Sequence, residues 1–221
     1  MFRLLLATRN PHKLREFSEL LGDGFQIRDL SGLEIPALEE TGTSFEENAI
    51  SKAIAVSRQL AETSRRDVQT VRAGVEFQCA FPALVIADDS GLEVESLNGA
   101  PGVFSARYAG ENATDQANVE KLLGMLRGKA DRMARFQCVV ALARDGRLLG
   151  TFNGEVEGTV VDLPRGAQGF GYDPIFLPSG FNQTFGEMTP ILKNQISHRA
   201  KAIAALTIFL QRQGIGHQPR G

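Results

Sequence analysis

Short apolar runs alternate with amphipathic stretches along the whole chain. Arg3-Leu4-Leu5-Leu6-Ala7 predicts a buried strand. Asn10 followed by Pro11 is a helix start, an N-cap side chain and then proline at the first helical position. Leu14, Phe17 and Leu21 follow at helical spacing and Gly22 ends the segment. Gln26 to Leu30 predicts a second strand, and residues 31–43 a loop carrying Glu34, Glu39 and Glu40. Ser44-Phe45-Glu46-Glu47 reads as a capping box. The helix behind it is expected to reach about Glu62, with Phe45, Ala49, Ala53, Val56 and Leu60 on one face. Asn48 and Lys52 fall at the edge of that face.

Residues 63–81 show no clean period and are expected to be a surface insertion. Ala83-Leu84-Val85-Ile86-Ala87 has the composition of a central strand, closed by Asp88-Asp89-Ser90-Gly91. Thr114 is expected to cap a helix through Arg127, with Val119, Leu122, Leu123 and Leu126 inward. Phe136, Cys138, Val140 and Leu142 alternate as in a strand, and Asp145-Gly146 is a hairpin turn leading to a return strand over Leu148 to Glu157. A glycine-rich loop spans Gly166 to Pro174, followed by a short strand at Ile175-Phe176-Leu177. Ser197 caps a last helix through Arg212, with Ala200, Ile203, Ala204 and Ile208 as its inner face. The pattern predicts a mixed α/β fold whose sheet is not purely parallel, in a single domain over residues 1–221.

Composition narrows the class. A chain of 221 residues can bury a core without staples. Its 23% of charged residues and 43% of hydrophobic ones argue against disorder. A formal net charge of −2 offers no basic excess for nucleic acid, while a small anion can still be met by local charge. Two distant cysteines, Cys79 and Cys138, make neither a disulfide framework nor a zinc site. No apolar run approaches the roughly 18 residues of a membrane span, so a cytoplasmic protein is expected.

Familiar nucleotide signatures are missing. There is no G-x-x-x-x-G-K-[ST], and the Gly166 loop reads G-x-x-G-x-G without opening a helix. Four other segments carry candidate chemistry. Thr8 to Lys13, a polar loop before a helix, offers backbone N–H groups, a helix dipole and a lysine to a phosphate, unless Asn10 merely caps and Lys13 is solvated. Asp88-Asp89 at a buried strand suits Mg²⁺ or a polarised water, with Glu39 or Glu40 completing the metal set, or else it closes a turn. Phe170-Gly171-Tyr172-Asp173 places flat rings in a flexible loop, where a base could stack. Lys193, His198 and Arg199 suit an anion or a keto oxygen, although cations are disfavoured in the first turn of a helix. Together they describe a nucleotide with its metal.

The chain resembles the inosine triphosphate pyrophosphatase family. The resemblance rests on Leu6-Ala7-Thr8-Arg9-Asn10 with Lys13, Glu40-Thr41-Gly42 leading to Phe45 and Asn48-Ala49, and Asp88-Asp89-Ser90-Gly91-Leu92. It continues through Gly99-Ala100-Pro101-Gly102 with Ser105-Ala106-Arg107-Tyr108, Gly169-Phe170-Gly171-Tyr172-Asp173-Pro174 and Ile196-Ser197-His198-Arg199. The resemblance implies an elongated mixed-sheet α/β fold, its two lobes flanking a nucleotide-binding cleft, and a homodimer. It implies Mg²⁺-dependent hydrolysis of ITP, dITP and XTP to the nucleoside monophosphate and pyrophosphate. Thr8, Asn10, Lys13 and Lys52 would grip the triphosphate. Glu40 and Asp89 would hold magnesium, with Asp89 also the general base. Ser90, Phe170, Gly171, Tyr172, Asp173, Lys193, His198 and Arg199 would meet the substrate. A pyrophosphatase for other modified nucleotides and a non-catalytic nucleotide-binding regulator are the rival readings. Neither a membrane nor a nucleic acid is an expected partner.

Overall fold

The computed structural model describes residues 2–36, 38, 40–70 and 84–215. In chain order the elements are β1 (Phe2–Leu6), α1 (Pro11–Leu21), β2 (Phe25–Arg28), α2 (Phe45–Thr70), β3 (Leu84–Val94), α3 (Asp115–Met125), β4 (Met133–Arg144), β5 (Arg147–Val160), β6 (Phe176–Pro178), α4 (Pro190–Ile196) and α5 (His198–Arg212). The six strands form one sheet in the order β2-β1-β3-β4-β5-β6. β1 pairs parallel with β2 and β3, whereas β5 and β6 pair antiparallel, so the sheet is mixed as expected.

The chain divides into two compact units. One holds the residues up to Asp88, Val140–Phe152 and the segment from Ala205; the other holds Asp89–Val139 and Asn153–Ala204. β3, β4, β5 and α5 each contribute residues to both units. No linker therefore separates them in sequence, and composition shows no boundary.

In the first unit, β1 and α1 follow from local signals. Leu4 and Leu6 are fully buried in β1, and Phe17 and Leu21 face inward from α1. Asn10 caps α1 and Gly22, at φ 67°, ends it. In the second unit a core forms around Leu92, Leu122, Phe136, Phe176 and Phe185. The Phe136 ring meets Phe176 edge-on at 4.7 Å between centroids and stacks on Phe185 at 6.0 Å. Such aromatic pairs add about 0.5–1.5 kcal/mol each beyond area burial.

Four expectations are revised. β3 continues to Val94, so Asp88 and Asp89 lie inside the strand rather than closing it. Leu92 and Val94 are fully buried, which keeps the strand in the core past the acidic pair. α2 runs on from the expected end at Glu62 to Thr70, because residues 63–70 contain neither glycine nor proline to stop it. The remainder of the expected insertion, residues 71–81, lies outside the described residues, as does Cys79. α4 was not predicted: it is only seven residues long, with Thr189 as N-cap and Pro190 at its first position. On α5 Ala204 and Ile208 are exposed, while Ala202, Leu206 and Leu210 are buried beside Ala200 and Ile203. The buried residues begin with His198 and Arg199, polar side chains that an apolar count passes over.

Candidate active site

In the first unit the loop after β1 is fixed by its own polar atoms. The Ala7 amide donates to the Ile86 carbonyl, and the Thr8 carbonyl accepts from the Leu30 amide. The Thr8 hydroxyl accepts from the Asn10 amide at 3.1 Å. Asn10 Oδ1 accepts from the amides of His12 and Lys13, the N-cap geometry. One turn into α1, Lys13 Nζ lies 2.9 Å from Asp88 Oδ1. It is therefore not a solvated lysine: its side chain is 18% exposed and that of its partner 1%.

Lys52 comes to the same aspartate from α2. Its Nζ donates to the Asp88 carbonyl at 2.7 Å and pairs with Glu40 Oε1 at 2.9 Å. Glu40 sits on a loop that has no regular structure, and two side chains tie that region down. Asn48, wholly buried on α2, accepts from the Gly42 amide at 2.8 Å. A Cβ on Gly42 would stand 2.6 Å from the same Asn48 oxygen, which explains the glycine. Arg9 donates to the Ile35 carbonyl. The result is a cluster of two lysines and two carboxylates with Thr8 and Asn10 at the head of α1. Lysines this buried need partners, since an unpaired buried charge is costly. An incoming anion could exchange with those carboxylates.

The second unit begins with Asp89, buried at 5% exposure. Ser90 follows, and its hydroxyl accepts from Arg199 Nη2 at 2.8 Å. The Arg199 guanidinium lies 5.5 Å from the centroid of Phe170, and the Lys193 ammonium 5.3 Å from it. Lys193 pairs with Asp173 Oδ2 at 2.7 Å, and both are buried. The same Asp173 oxygen accepts from the Phe170 amide at 2.9 Å. It also crowds Gly169, where no Cβ would fit. Tyr172 is buried, and its hydroxyl donates to the Ser105 carbonyl at 2.9 Å. Burial foremost, then the negative potential of Tyr108 and Asp115, pushes its phenol well above the usual range, so it stays a donor. His198 stacks on Phe136, with centroids 4.6 Å apart and rings within 7° of parallel.

The structure thus brings Lys13, Lys52 and Glu40 together around Asp88, and Phe170, Asp173, Lys193, Arg199 and Ser90 around one ring and one carboxylate. Sequence reasoning missed Asp88 as the anchor of both lysines, Asp115 as a partner of the Gly171 amide, and Phe136 as the platform under His198. It also missed Gly154, where a Cβ would strike the carbonyl oxygen of His198 and the Ala202 amide. Pattern offers little for these. Asp115 looks like an ordinary first-turn acid, Phe136 like any core aromatic, and Gly154 like a chance glycine in a strand.

Among the described residues no three His, Cys, Asp or Glu side chains gather as a metal cage. The carboxylates of Glu40 and Asp89 are nonetheless hard oxygen donors of the kind magnesium takes. That ion is usually held by one or two carboxylates plus substrate phosphates rather than by an all-protein cage.

Two carboxylate-paired lysines near a helix N-terminus in one unit, and in the other an aromatic ring with two cations near it, are features of the nucleotide-handling class of α/β proteins. The sequence profile of the Ham1 family matches residues 4–209, and the chain belongs to that family. It is 43% identical over 215 residues to the dITP/XTP pyrophosphatase of Bacillus subtilis, covering 96% of this chain and 98% of that one. With the dITP/XTP pyrophosphatase of Geobacter sulfurreducens the identity is 44% over 219 residues, covering 97% and 100%. Among solved structures, the HAM1 protein of Coxiella burnetii superposes with a TM-score of 0.78 at 39% identity, covering 96% of this chain and all of that one. The Ham1 protein of Staphylococcus aureus gives 0.77 at 39% identity, covering 96% and 99%.

Proposed function

We propose that this chain is a nucleoside triphosphate pyrophosphohydrolase that removes non-standard purine nucleotides, ITP, dITP and XTP, as the monophosphate and pyrophosphate. The observation that supports this most is the cluster of Lys13, Lys52, Glu40 and Asp88, two cations and two carboxylates gathered behind the Thr8–Asn10 loop. The names of the B. subtilis and G. sulfurreducens relatives point the same way.

In this reading Thr8, Asn10, Lys13 and Lys52 bind the triphosphate through their donors and charges. Glu40 and Asp89 hold Mg²⁺, which when bound supplies charge neutralisation on the phosphate oxygens. Asp89 accepts a proton from the water that attacks the α-phosphorus. The bond from that phosphorus to the bridging oxygen breaks, and pyrophosphate leaves with the electron pair. Phe170 stacks on the base. Gly171, Tyr172 and Asp173 shape the loop around it, with Lys193, His198 and Ser90 lining the substrate's surroundings. Arg199 has only donors, so it favours the 6-keto oxygen of hypoxanthine or xanthine over the 6-amino group of adenine. A site whose polar groups are left unpaired by an analogue rejects it by large factors. A homodimer and a cytoplasmic location belong to the same reading; among the described residues no helix is long and apolar enough to cross a membrane.

Incubation of the protein with ITP and Mg²⁺, with products separated by ion exchange, tests the proposal. Equal amounts of IMP and pyrophosphate are expected. Release of orthophosphate and IDP, or no turnover, would contradict it.

A further inference from the structure

The loop that carries Phe170 has little rigidity of its own. Gly166, Gly169 and Gly171 all take positive φ, at 78°, 75° and 60°. Glycines reach such angles without strain but leave them as readily. The loop's shape must therefore come from hydrogen bonds to its amides. Asp173 holds the Phe170 amide from within the loop. The peptide on the other side of Phe170 is held from elsewhere in the same unit. The Gly171 amide donates to Asp115 Oδ2 at 2.7 Å, a charge-assisted length, across 56 residues of sequence.

Asp115 is the first residue of α3, just after the N-cap Thr114. Thr114 already supplies the cap by accepting from the Ala117 amide, which leaves the Asp115 carboxylate to the loop. With the amides of residues 170 and 171 both held by carboxylates, the direction of the Phe170 side chain is determined. Lys193 and Arg199 lie over that ring.

We infer that Asp115 is a positioning residue for base recognition: it fixes the Phe170–Gly171 peptide so that the Phe170 ring is presented to the purine. The inference rests on the proposed function, because it needs a purine substrate to read. Asp115 touches no reacting atom in this account. Its loss acts on capture of the base and not on the chemical step.

The test compares the wild type with Asp115→Ala, Asp115→Asn and Asp115→Glu, measuring kcat and KM for dITP by pyrophosphate release and Tm for each. Asp115→Ala is expected to raise KM about tenfold, the scale of one lost hydrogen bond to a charged group, with kcat within about twofold. Asp115→Asn keeps an oxygen acceptor and is expected to restore KM to within about threefold of wild type. An unchanged KM in a folded Asp115→Ala protein would overturn the inference, and so would a fall in kcat alone. Should Asp115→Ala fail to fold, Asp115→Glu decides. It keeps the charge at the helix start and moves the carboxylate by one methylene; a raised KM supports positioning and a wild-type KM overturns it. A wild type that releases no pyrophosphate from dITP would defeat the proposed function itself, and this inference with it. An active wild type with an indifferent Asp115 defeats the inference alone.

Discussion

The Lys13–Asp88 cluster and the Phe170 loop solve the same problem, holding polar groups still, by opposite means. In the first, each charged side chain but Glu40 stands on a regular element: Lys13 on α1, Lys52 on α2, Asp88 on β3. Backbone hydrogen bonds fix those elements, and opposite charges hold the side-chain tips. In the second, the ring sits on a loop of positive-φ glycines, and carboxylates from Asp173 and Asp115 replace the missing ladder. His198 and Arg199, at the head of α5, depend in turn on the Phe136 ring and on the absence of a side chain at Gly154. Damage to the first region should therefore remove charge and leave geometry intact. Damage to the second should loosen geometry and leave charge intact.

The largest expected effect is at Asp89, where the acidic strand enters the second unit. Asp89→Asn keeps the shape of a buried side chain and removes its basicity. kcat for ITP should fall by roughly 10²- to 10⁴-fold, the usual cost of losing a general base. Circular dichroism should show an unchanged fold. Turnover within twofold of wild type would remove Asp89 from the mechanism.

Next comes Gly154→Ala. The added methyl meets backbone atoms of His198 and Ala202, which cannot swing aside as a side chain could. Overpacking of this kind costs about 1–3 kcal/mol. A lower denaturant midpoint is expected, together with a raised KM for dITP as the head of α5 shifts. A wild-type midpoint would mean that β5 and α5 can part without loss.

A smaller effect belongs to the start of α2, whose cap helps seat Lys52. The Glu47 carboxylate accepts from the Thr43 amide at 2.7 Å and from its hydroxyl at 2.9 Å. The backbone bond, then the hydroxyl, holds its carboxyl below the ordinary value of 4.5. A folded-state value below the unfolded one means that the stabilisation is present above the unfolded value. It is lost as pH falls through the folded one. Urea midpoints of Glu47→Gln and wild type, followed from pH 7 down to pH 3, should converge at the acid end. A difference that is constant across the range would mean that the charge plays no part.

These contrasts also explain what the sequence could reveal. The Asn10-Pro11 start, the Ser44 cap and the alternation through β4 are local rules, and the elements they predict are present. Lys13 was legible as the lysine of a polar loop that opens a helix, while Lys52, at the edge of an apolar face, gained its role only through the resemblance. Arg199 stood out as a cation in the first turn of a helix, whereas Ser90 was legible only through the resemblance, and nothing local says that the two bond across 109 residues. Asp88 was overlooked because alternation allows only one of two neighbouring carboxylates to serve a given face, and pattern does not say which. α4 escaped because seven residues give too few turns for a period to show.

The proposed function divides the labour: the first region would treat every nucleotide alike and the second would distinguish the base. Lys13→Ala and Arg199→Ala test it when kcat/KM is measured for dITP and dATP in both variants and the wild type. Lys13→Ala should lower the two values by the same factor, about tenfold or more for a lost charge-assisted contact, and leave their ratio unchanged. Arg199→Ala should narrow the ratio, mainly by loss of dITP hydrolysis. A ratio that shifts with Lys13, or one that stays fixed without Arg199, would contradict the account.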